Sequence, residues 1–585
     1  SSSGEKIHLF APNGLRIDSM EIPALSADTA YGRAADGGDM YAFMTPTPGR
    51  ANGNIRRLSI ASVRFSHESG FYDEAFSLSA EVPDGYSLYY TTDASTPDAT
   101  KRYYSGPLSV SDISDSPDII SRITVTPTEA GMFFPDAPSD KATVLRFVLC
   151  DDAGHVSDVR TLTYFVGYGE KDGYGDLAVI SLVSDPADLF DENKGIFVGG
   201  NWNNRGSEWE RAANLTFFDE GKSYVFSQDC GIRIHGSSTR GFQQKSLSVY
   251  ARDKYGANEF AYTFFDGVDY LKSFCLRYDG SLKFHEAFLN ELAAGQGFAT
   301  AKTRPCAVFL DGEYYGIYTI IEKYTKQYVE THYGIDRDNV ALIKKGALED
   351  GIPADLDDYN RFISYVTGSD MSYASHYARA CELMDMDGFI DYLCFQIWCG
   401  NEDWSLKQNI ACFRARTPDP SNPYADGKWR FMLYDLDFCI GIWSREGNYY
   451  SYDTDTYTAA MPFAGGGVLS NPLVASLWRS ADFRRAVAER MLSLSKTAYA
   501  ADRATALLSR YEEKLAPNME NYYRRFGSVS MTEADFRDCM TGFAQYFERR
   551  AAYILAYTWE HTGYDLSGSV QTVQAPLPKQ KETIE

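Results

Sequence analysis

Positive charge is scarce in this 585-residue sequence: 56 Lys and Arg stand against 80 Asp and Glu, a net charge of −24. A surface so anionic is repelled by nucleic-acid backbones and by anionic lipid faces, which excludes both as main partners. Long apolar runs are missing too, and no stretch reaches the roughly 18 residues of a membrane-spanning helix. The ten cysteines are scattered singly, without a CxxC pair or a close Cys/His cluster. That excludes zinc-ligand spacing, and the five-residue step from Cys394 to Cys399 is wrong for a thioredoxin-type motif. Most of these thiols are expected to be buried small hydrophobes, with a few disulfides left open. The opening Ser1-Ser2-Ser3-Gly4-Glu5-Lys6 lacks a basic, apolar signal region, so a processed or cloned-out form is expected.

What is plentiful is ring surface. The chain carries 42 Tyr, 35 Phe and 8 Trp, which is too much buriable area for a wholly disordered polymer. At a prior of about 150 residues per domain, the length implies about three or four folded units.

The texture changes along the chain. Residues 1–53 are rich in Gly, Ala and Asp and close on Thr45-Pro46-Thr47-Pro48-Gly49-Arg50-Ala51-Asn52-Gly53. Prolines remove backbone donors and glycines favour turns, so that run holds neither helix nor central strand. The preceding Tyr31-Gly32-Arg33 and Asp36-Gly37-Gly38-Asp39 flank short strand-like pieces. Residues 60–167 alternate with the strand period, as in Ser77–Val82 and Ser87–Thr92, with further runs at 120–126, 142–149 and 158–166. Short strands at this spacing predict an all-β sandwich whose aromatic side chains form its core. From about 175, strands and helices mix. Near 460 the pattern becomes helical, with apolar positions three and four apart over 473–494, 500–515, 532–545 and 546–560. The tail from Gly568, with Pro576 and Pro578, is expected to be disordered.

Several segments bear chemistry-capable groups. Gly231–Ile234 and Ser246–Tyr250 bracket a Gly/Ser-rich loop containing Ser237, Ser238, Arg240 and Lys245. Glycines let backbone N–H groups approach phosphate oxygens, and a lysine opening the second strand can reach what the loop holds. The Walker spacing GxxxxGK[ST] is absent, and a β-hairpin with a flexible tip is the plain alternative. Lys283–Ala294 predicts a short amphipathic helix on which Glu286 either orients a lysine or is solvated. Ala307–Leu310 and Tyr315–Ile321 form a hairpin about Asp311-Gly312, running into Glu322-Lys323-Tyr324. A helix ending at Trp398 leads to Asp403 and Asn409, and a second hairpin delivers Asp435 and Asp437. Oxygen ligands of this kind suit Mg²⁺ or Mn²⁺. In extended chain, Asp435 and Asp437 would point to one side. A loop cap at Asp403, and a structural calcium site or solvated strand end at Asp435/Asp437, remain as alternatives. The order of parts is that used for phosphoryl transfer in protein kinases.

On the segments "IRIHGSSTRGFQQKSLSVY", "LDGEYYGIYTIIEKYTKQYVE", "NEDW…KQNIACFR" and "KWRFMLYDLDFCIG", residues 171–567 resemble the CotH (spore coat protein H) family of atypical secreted protein kinases. Residues 1–53 resemble the closing half of a lamin-tail module, and 54–170 the β-sandwich found at the C-terminus of chitobiases. Both accompany such domains in exported bacterial proteins. The fold this implies is α+β: a bilobal protein-kinase-like domain, helical from about 460, behind immunoglobulin-like sandwiches. The activity it implies is ATP- and Mg²⁺- or Mn²⁺-dependent transfer of the γ-phosphoryl to Ser or Thr hydroxyls of a protein, outside the cell or at its surface. The β modules would serve as spacers or bind cell-wall glycan. By resemblance, Lys245 holds the α/β-phosphates, Arg240 with Ser237 and Ser238 assists, and Glu286 orients Lys245. The backbone around Glu322 to Tyr324 meets adenine, Asp403 is the catalytic aspartate, and Asn409, Asp435 and Asp437 hold metal. The chain departs from ordinary kinases in lacking HRD and DFG triplets and in its long insert at 415–427. Asn409 also lies six residues after Asp403, where five is usual and Gln408 stands. A surface-binding or structural protein with an inactive kinase-like domain is the second reading, and a metal-dependent hydrolase the third.

Overall fold

The computed structural model describes residues 5–11, 16–22, 30–33, 41–44, 59–126, 132–152, 155–168, 174–280, 282–405, 409–440, 451–459, 467–527 and 532–566. The Pro-rich run at 45–53, the tail from Gly568, Gln408 and the Ser238 side chain lie outside the described residues. The architecture is α+β and falls into two compact units. One comprises Ser1–Tyr278, Pro305–Ile320 and Pro517–Ser530; the other comprises Asp279–Arg304, Ile321–Ala516 and Met531–Glu585.

The first unit holds a β-sandwich and most of a closed barrel. The larger sandwich sheet runs Arg102–Tyr103, Tyr86–Thr91, Thr143–Asp151, Arg160–Val166, Gly70–Tyr72. Leu88, Leu145, Phe147, Leu162 and Tyr164 of this sheet share a core with Leu78 and Val110 of a second, two-stranded sheet, Phe76–Leu78 with Leu108–Val110, as the period-two pattern requires. One expected strand is absent: in 120–126 the chain instead makes a short 3₁₀ turn, Ile120–Arg122. The backbone N–H groups of Ile119, Ile120 and Ser121 donate to the Glu313 carboxylate at 2.7, 2.9 and 2.7 Å, which takes them out of any ladder.

The barrel has seven strands, in the order Ala178–Ser184, Arg211–Phe218, Tyr224–Ile234, Leu247–Tyr250, Ser273–Arg277, Glu313–Glu322, Thr303–Leu310. Closure comes from parallel pairing of Ala178–Leu182 with Cys306–Leu310. Every residue of Ala178–Ser184 is buried, the signature of a strand covered on both faces. Ile180, Leu182, Leu215, Phe217, Ile232, Val249 and Val308 fill one core cluster with their neighbours around the barrel. The sandwich packs on the barrel. Phe165 meets Phe218 and Phe309 edge-on at 5.6 and 4.8 Å, and Thr163 shares a hydroxyl hydrogen bond of 2.9 Å with Ser181. Edge-to-face ring pairs of this kind add about 0.5–1.5 kcal/mol each beyond area burial. The expected hairpin turn is present, with Asp311 and Gly312 both left-handed at φ 49° and 87°.

The second unit is mostly helical around a four-stranded sheet in the order Ala347–Asp350, Val340–Lys344, Ala411–Ala415, Arg430–Met432. The stretch expected as one helix over 473–494 is two, Pro472–Leu477 and Ala481–Ser495, because Ser480 caps the second through Phe483 N–H. Conversely, 532–545 and 546–560 form one helix, Glu533–Thr562, opened by a Thr532/Asp535 capping box. The helix expected to end at 515 runs to Phe526 through Pro517. None of the ten cysteines is in a disulfide, and all but Cys381 are buried. No helix among the described residues is long and apolar enough to cross a membrane.

Candidate active site

The site is built on a buried helix. In Met386–Cys399 nearly every side chain is enclosed, so the segment reads as uniformly apolar rather than amphipathic. It stops at Gly400, whose φ of 57° is the left-handed C-cap that glycine adopts without strain. The fully buried Arg550 donates to the carbonyls of Ile397 and Trp398, each at 3.0 Å, neutralising the negative end of that helix. The next residues form a tight loop: Asn401 Oδ1 accepts from Asp403 N–H at 3.1 Å, and Glu402 N–H donates to Phe438 O at 3.1 Å. Trp404, with no exposed surface, anchors the far side by donating its indole N–H to Tyr392 Oη at 2.6 Å.

Strand register then gathers the remaining groups. Ala411 lies opposite Met432 in one antiparallel pair and opposite Lys344 in the other. Residues just before 411 therefore sit beside those just after 432 and just after 344. That places Asn409, Asp435 and Lys345 at one edge. Lys345 N–H donates to Ile410 O at 2.8 Å, and Lys345 Nζ lies 3.9 Å from Asp435 Oδ2. Asp435 and Asn409 both take left-handed backbone, φ 59° and 54°, so the expectation of an extended chain through Asp435 and Asp437 does not hold. Backbone strain at non-glycine residues of this kind clusters at functional sites.

Glu286 joins from another element. The predicted helix runs His285–Ala293, and all its residues but Glu291 are buried, so it is not amphipathic. Asp279 receives Glu286 N–H at 2.6 Å and fixes the helix start. Glu286 Oε2 accepts weakly from Leu436 N–H at 3.4 Å. Its carboxylate, with those of Asp435 and Asp437, offers oxygens all within 4.8 Å of one another. Asn409 donates its amide N–H to Asp403 O and Oδ2 at 3.0 and 2.7 Å, while its Oδ1 is buried with no hydrogen-bond partner among the described residues. Three crowded carboxylates and an orphaned amide oxygen are the donor set a hard divalent cation takes. Burial first, and then the Asp435 charge, raise the Asp403 pKa to about 6.

The other expected residues occupy different surroundings. In the first unit, the loop after Ile234 is pinned rather than flexible-tipped. Arg240 donates to Trp202 O, Ile234 O and Asn204 O, each at 2.7 Å. Lys245, with no exposed surface, donates to Arg240 O and Phe242 O at 2.7 and 3.1 Å and lies 5.2 Å over the Trp202 ring. Burial and, secondarily, the Arg240 charge bring the Lys245 pKa down to about 7. Ser237 is exposed. In the second unit, Glu322 pairs with His332 at 2.8 Å and its N–H donates to Lys302 O at 3.0 Å. Tyr324 donates its hydroxyl to Leu433 O at 2.7 Å, and its carbonyl accepts from Lys344 Nζ at 2.8 Å. The structure thus unites Glu286, Asp403, Asn409, Asp435 and Asp437 in one unit, with Lys245, Arg240 and Ser237 in the other. Sequence reading missed Lys345 and the place of Glu286 among the carboxylates. The Lys345-Gly346 pair between two strand runs was the available signal for the first.

No curated protein matches the chain. The family model described as CotH kinase protein matches residues 232–554, more than half the chain, and it spans the Gly-rich loop, Glu286, Asp403, Asn409 and the Asp435/Asp437 pair. The chain belongs to the CotH kinase protein family.

Proposed function

We propose that this protein is a metal-dependent kinase that transfers the γ-phosphoryl group of ATP to Ser or Thr hydroxyls of a secreted or cell-surface protein. The observation that carries the reading is the convergence of the Glu286, Asp435 and Asp437 carboxylates within 4.8 Å, with strand register bringing Asn409 to the same sheet edge as Asp435. Like charges this close repel unless a cation or protons intervene. The three carboxylates and the Asn409 amide oxygen would hold Mg²⁺ or Mn²⁺, which supplies charge neutralisation for the phosphates.

Asp403 would take the proton. Its Oδ2 is oriented by the Asn409 amide at 2.7 Å, and the loop is held from both sides by Glu402 N–H and the Trp404 indole. As the acceptor oxygen bonds to the γ-phosphorus and the bond to the bridging oxygen of ADP breaks, the hydroxyl proton passes to Asp403. A pKa raised to about 6 leaves that carboxylate ionised at neutral pH and a stronger base than an ordinary aspartate. Lys245, Arg240, Ser237 and Ser238 are proposed at the phosphates and the Glu322–Tyr324 backbone at the adenine, on family resemblance alone. Glu286 either orients a lysine, as the resemblance implies, or serves as a metal ligand, which its present neighbours favour.

The test is incubation of the full chain with radiolabelled ATP and Mg²⁺, reading label on the protein itself. Label in the wild type, lost in Asp403→Asn and Asp435→Ala, supports the kinase. No label and no nucleotide-dependent shift in melting would instead favour a surface-binding protein with an inactive kinase-like domain. Phosphate release without protein labelling would favour a hydrolase.

A further inference from the structure

We propose that Lys345 is the lysine that meets the nucleotide's phosphates at the acidic site. This assignment rests on the kinase reading and gives to Lys345 the part that resemblance gives to Lys245.

Lys345 and Gly346 are the two central residues of a tight hairpin turn, closed by Lys344 opposite Ala347. Both are left-handed, with φ 51° and 72°. Such turns favour Asn, Asp and Gly, because a longer side chain is strained there. Lys345 N–H donates to Ile410 O at 2.8 Å and fastens the turn beside Asn409. The ammonium stands 3.9 Å from Asp435 Oδ2 and 5.7 Å over the Tyr434 ring, with the side chain 40% exposed. Its charge also bears on Asp403.

The contrast with Lys245 decides between them. Lys245 has no exposed surface, and its ammonium is bonded to two carbonyls of its own loop. Lys345 holds Asp435 in a long, partly exposed pair and stays within reach of solvent. A triphosphate approaching Glu286, Asp403, Asp435 and Asp437 meets four carboxylates, and a bound divalent ion alone leaves the sum negative. An ammonium on the rim supplies the missing attraction, and the phosphate displaces it from Asp435. The same ammonium, before nucleotide arrives, competes with a metal ion for Asp435. Its removal therefore has opposite effects on the two ligands.

The experiment compares wild type, Lys345→Met and Lys345→Arg as full chains. It measures Mn²⁺ affinity without nucleotide, and affinity for a fluorescent, non-hydrolysable ATP analogue with saturating Mn²⁺. Lys345→Met is expected to bind Mn²⁺ severalfold more tightly and the analogue about tenfold more weakly, with Lys345→Arg restoring analogue binding. A merely structural turn residue would weaken both, and that outcome overturns the assignment. A wild type that binds the analogue while Lys345→Met binds it equally well overturns the assignment alone. A wild type that binds no analogue overturns the kinase reading and this assignment with it.

Discussion

The Gly-rich loop of the first unit and the acidic cluster of the second hold their charges in opposite ways. Arg240 and Lys245 are surrounded by carbonyl oxygens from Trp202, Asn204, Ile234, Arg240 and Phe242, so their positive charge is answered inside the fold. Glu286, Asp435 and Asp437 are instead set close to one another, and burial first, then the Asp435 charge, push the Asp403 pKa up. A charge answered by its own backbone stabilises a loop. Like charges gathered together gain further from a cation that arrives from outside, beyond the Lys345 ammonium near Asp435. The difference can be tested from both sides.

The largest expected effect is on turnover. Asp403→Asn should lower phosphoryl transfer about 10³-fold, the scale of a lost general base, with melting unchanged or slightly raised because a crowded charge is gone. Arg240→Ala should have a large effect on stability. It leaves three carbonyls without their shared donor and should cost about 2–4 kcal/mol in urea unfolding of the full chain. A Tm change for Asp403→Asn as large as that for Arg240→Ala would break the comparison.

Metal should act next in size. Folded Asp403 keeps its proton from the ordinary value of 3.8 up to about 6, where the unfolded chain has already released it. Without a cation, this group's contribution therefore makes stability fall as pH rises through that window. Mn²⁺ should raise the Tm by a few degrees near neutral pH and by less near pH 5, where protons compete for the same oxygens. Asp435→Ala should remove that rise. The smallest effect is electrostatic: Asp435→Asn should lower the Asp403 pKa by less than about one unit, read by NMR titration of the metal-free protein.

Much of the site was legible because its parts are close in sequence to strong local signals. The helix stop at Gly400, the hairpin between Ala411–Ala415 and Arg430–Met432, and the carboxylates at either end all follow from periodicity and turn chemistry. What stayed hidden needed non-local information. Glu286 reads equally well as a lysine partner or a solvated residue until Asp279 sets the helix start and Leu436 N–H meets its carboxylate. The Lys345 turn is plain only once Lys344 is known to pair with both Ala347 and Ala411. Barrel closure depends on parallel pairing between strands more than a hundred residues apart, which no window of sequence reports. The helix boundaries failed for a related reason: Ser480 looks like any polar residue until it caps, and Pro517 looks like a stop until the helix continues past it.

The Glu313 carboxylate, holding three N–H groups of the preceding β-sandwich, bears on anyone who wishes to excise the enzyme. The stretch shared with the family begins at residue 232, inside the strand Tyr224–Ile234, and omits Ala178–Ser184 and Arg211–Phe218 altogether. A fragment trimmed to that footprint would be a staved cask with staves missing. A cut made at the end of the sandwich would keep the cask but strip away the donors that Glu313 was shaped to receive. The family's footprint and the barrel do not coincide here, and expression trials should begin upstream of Ile119.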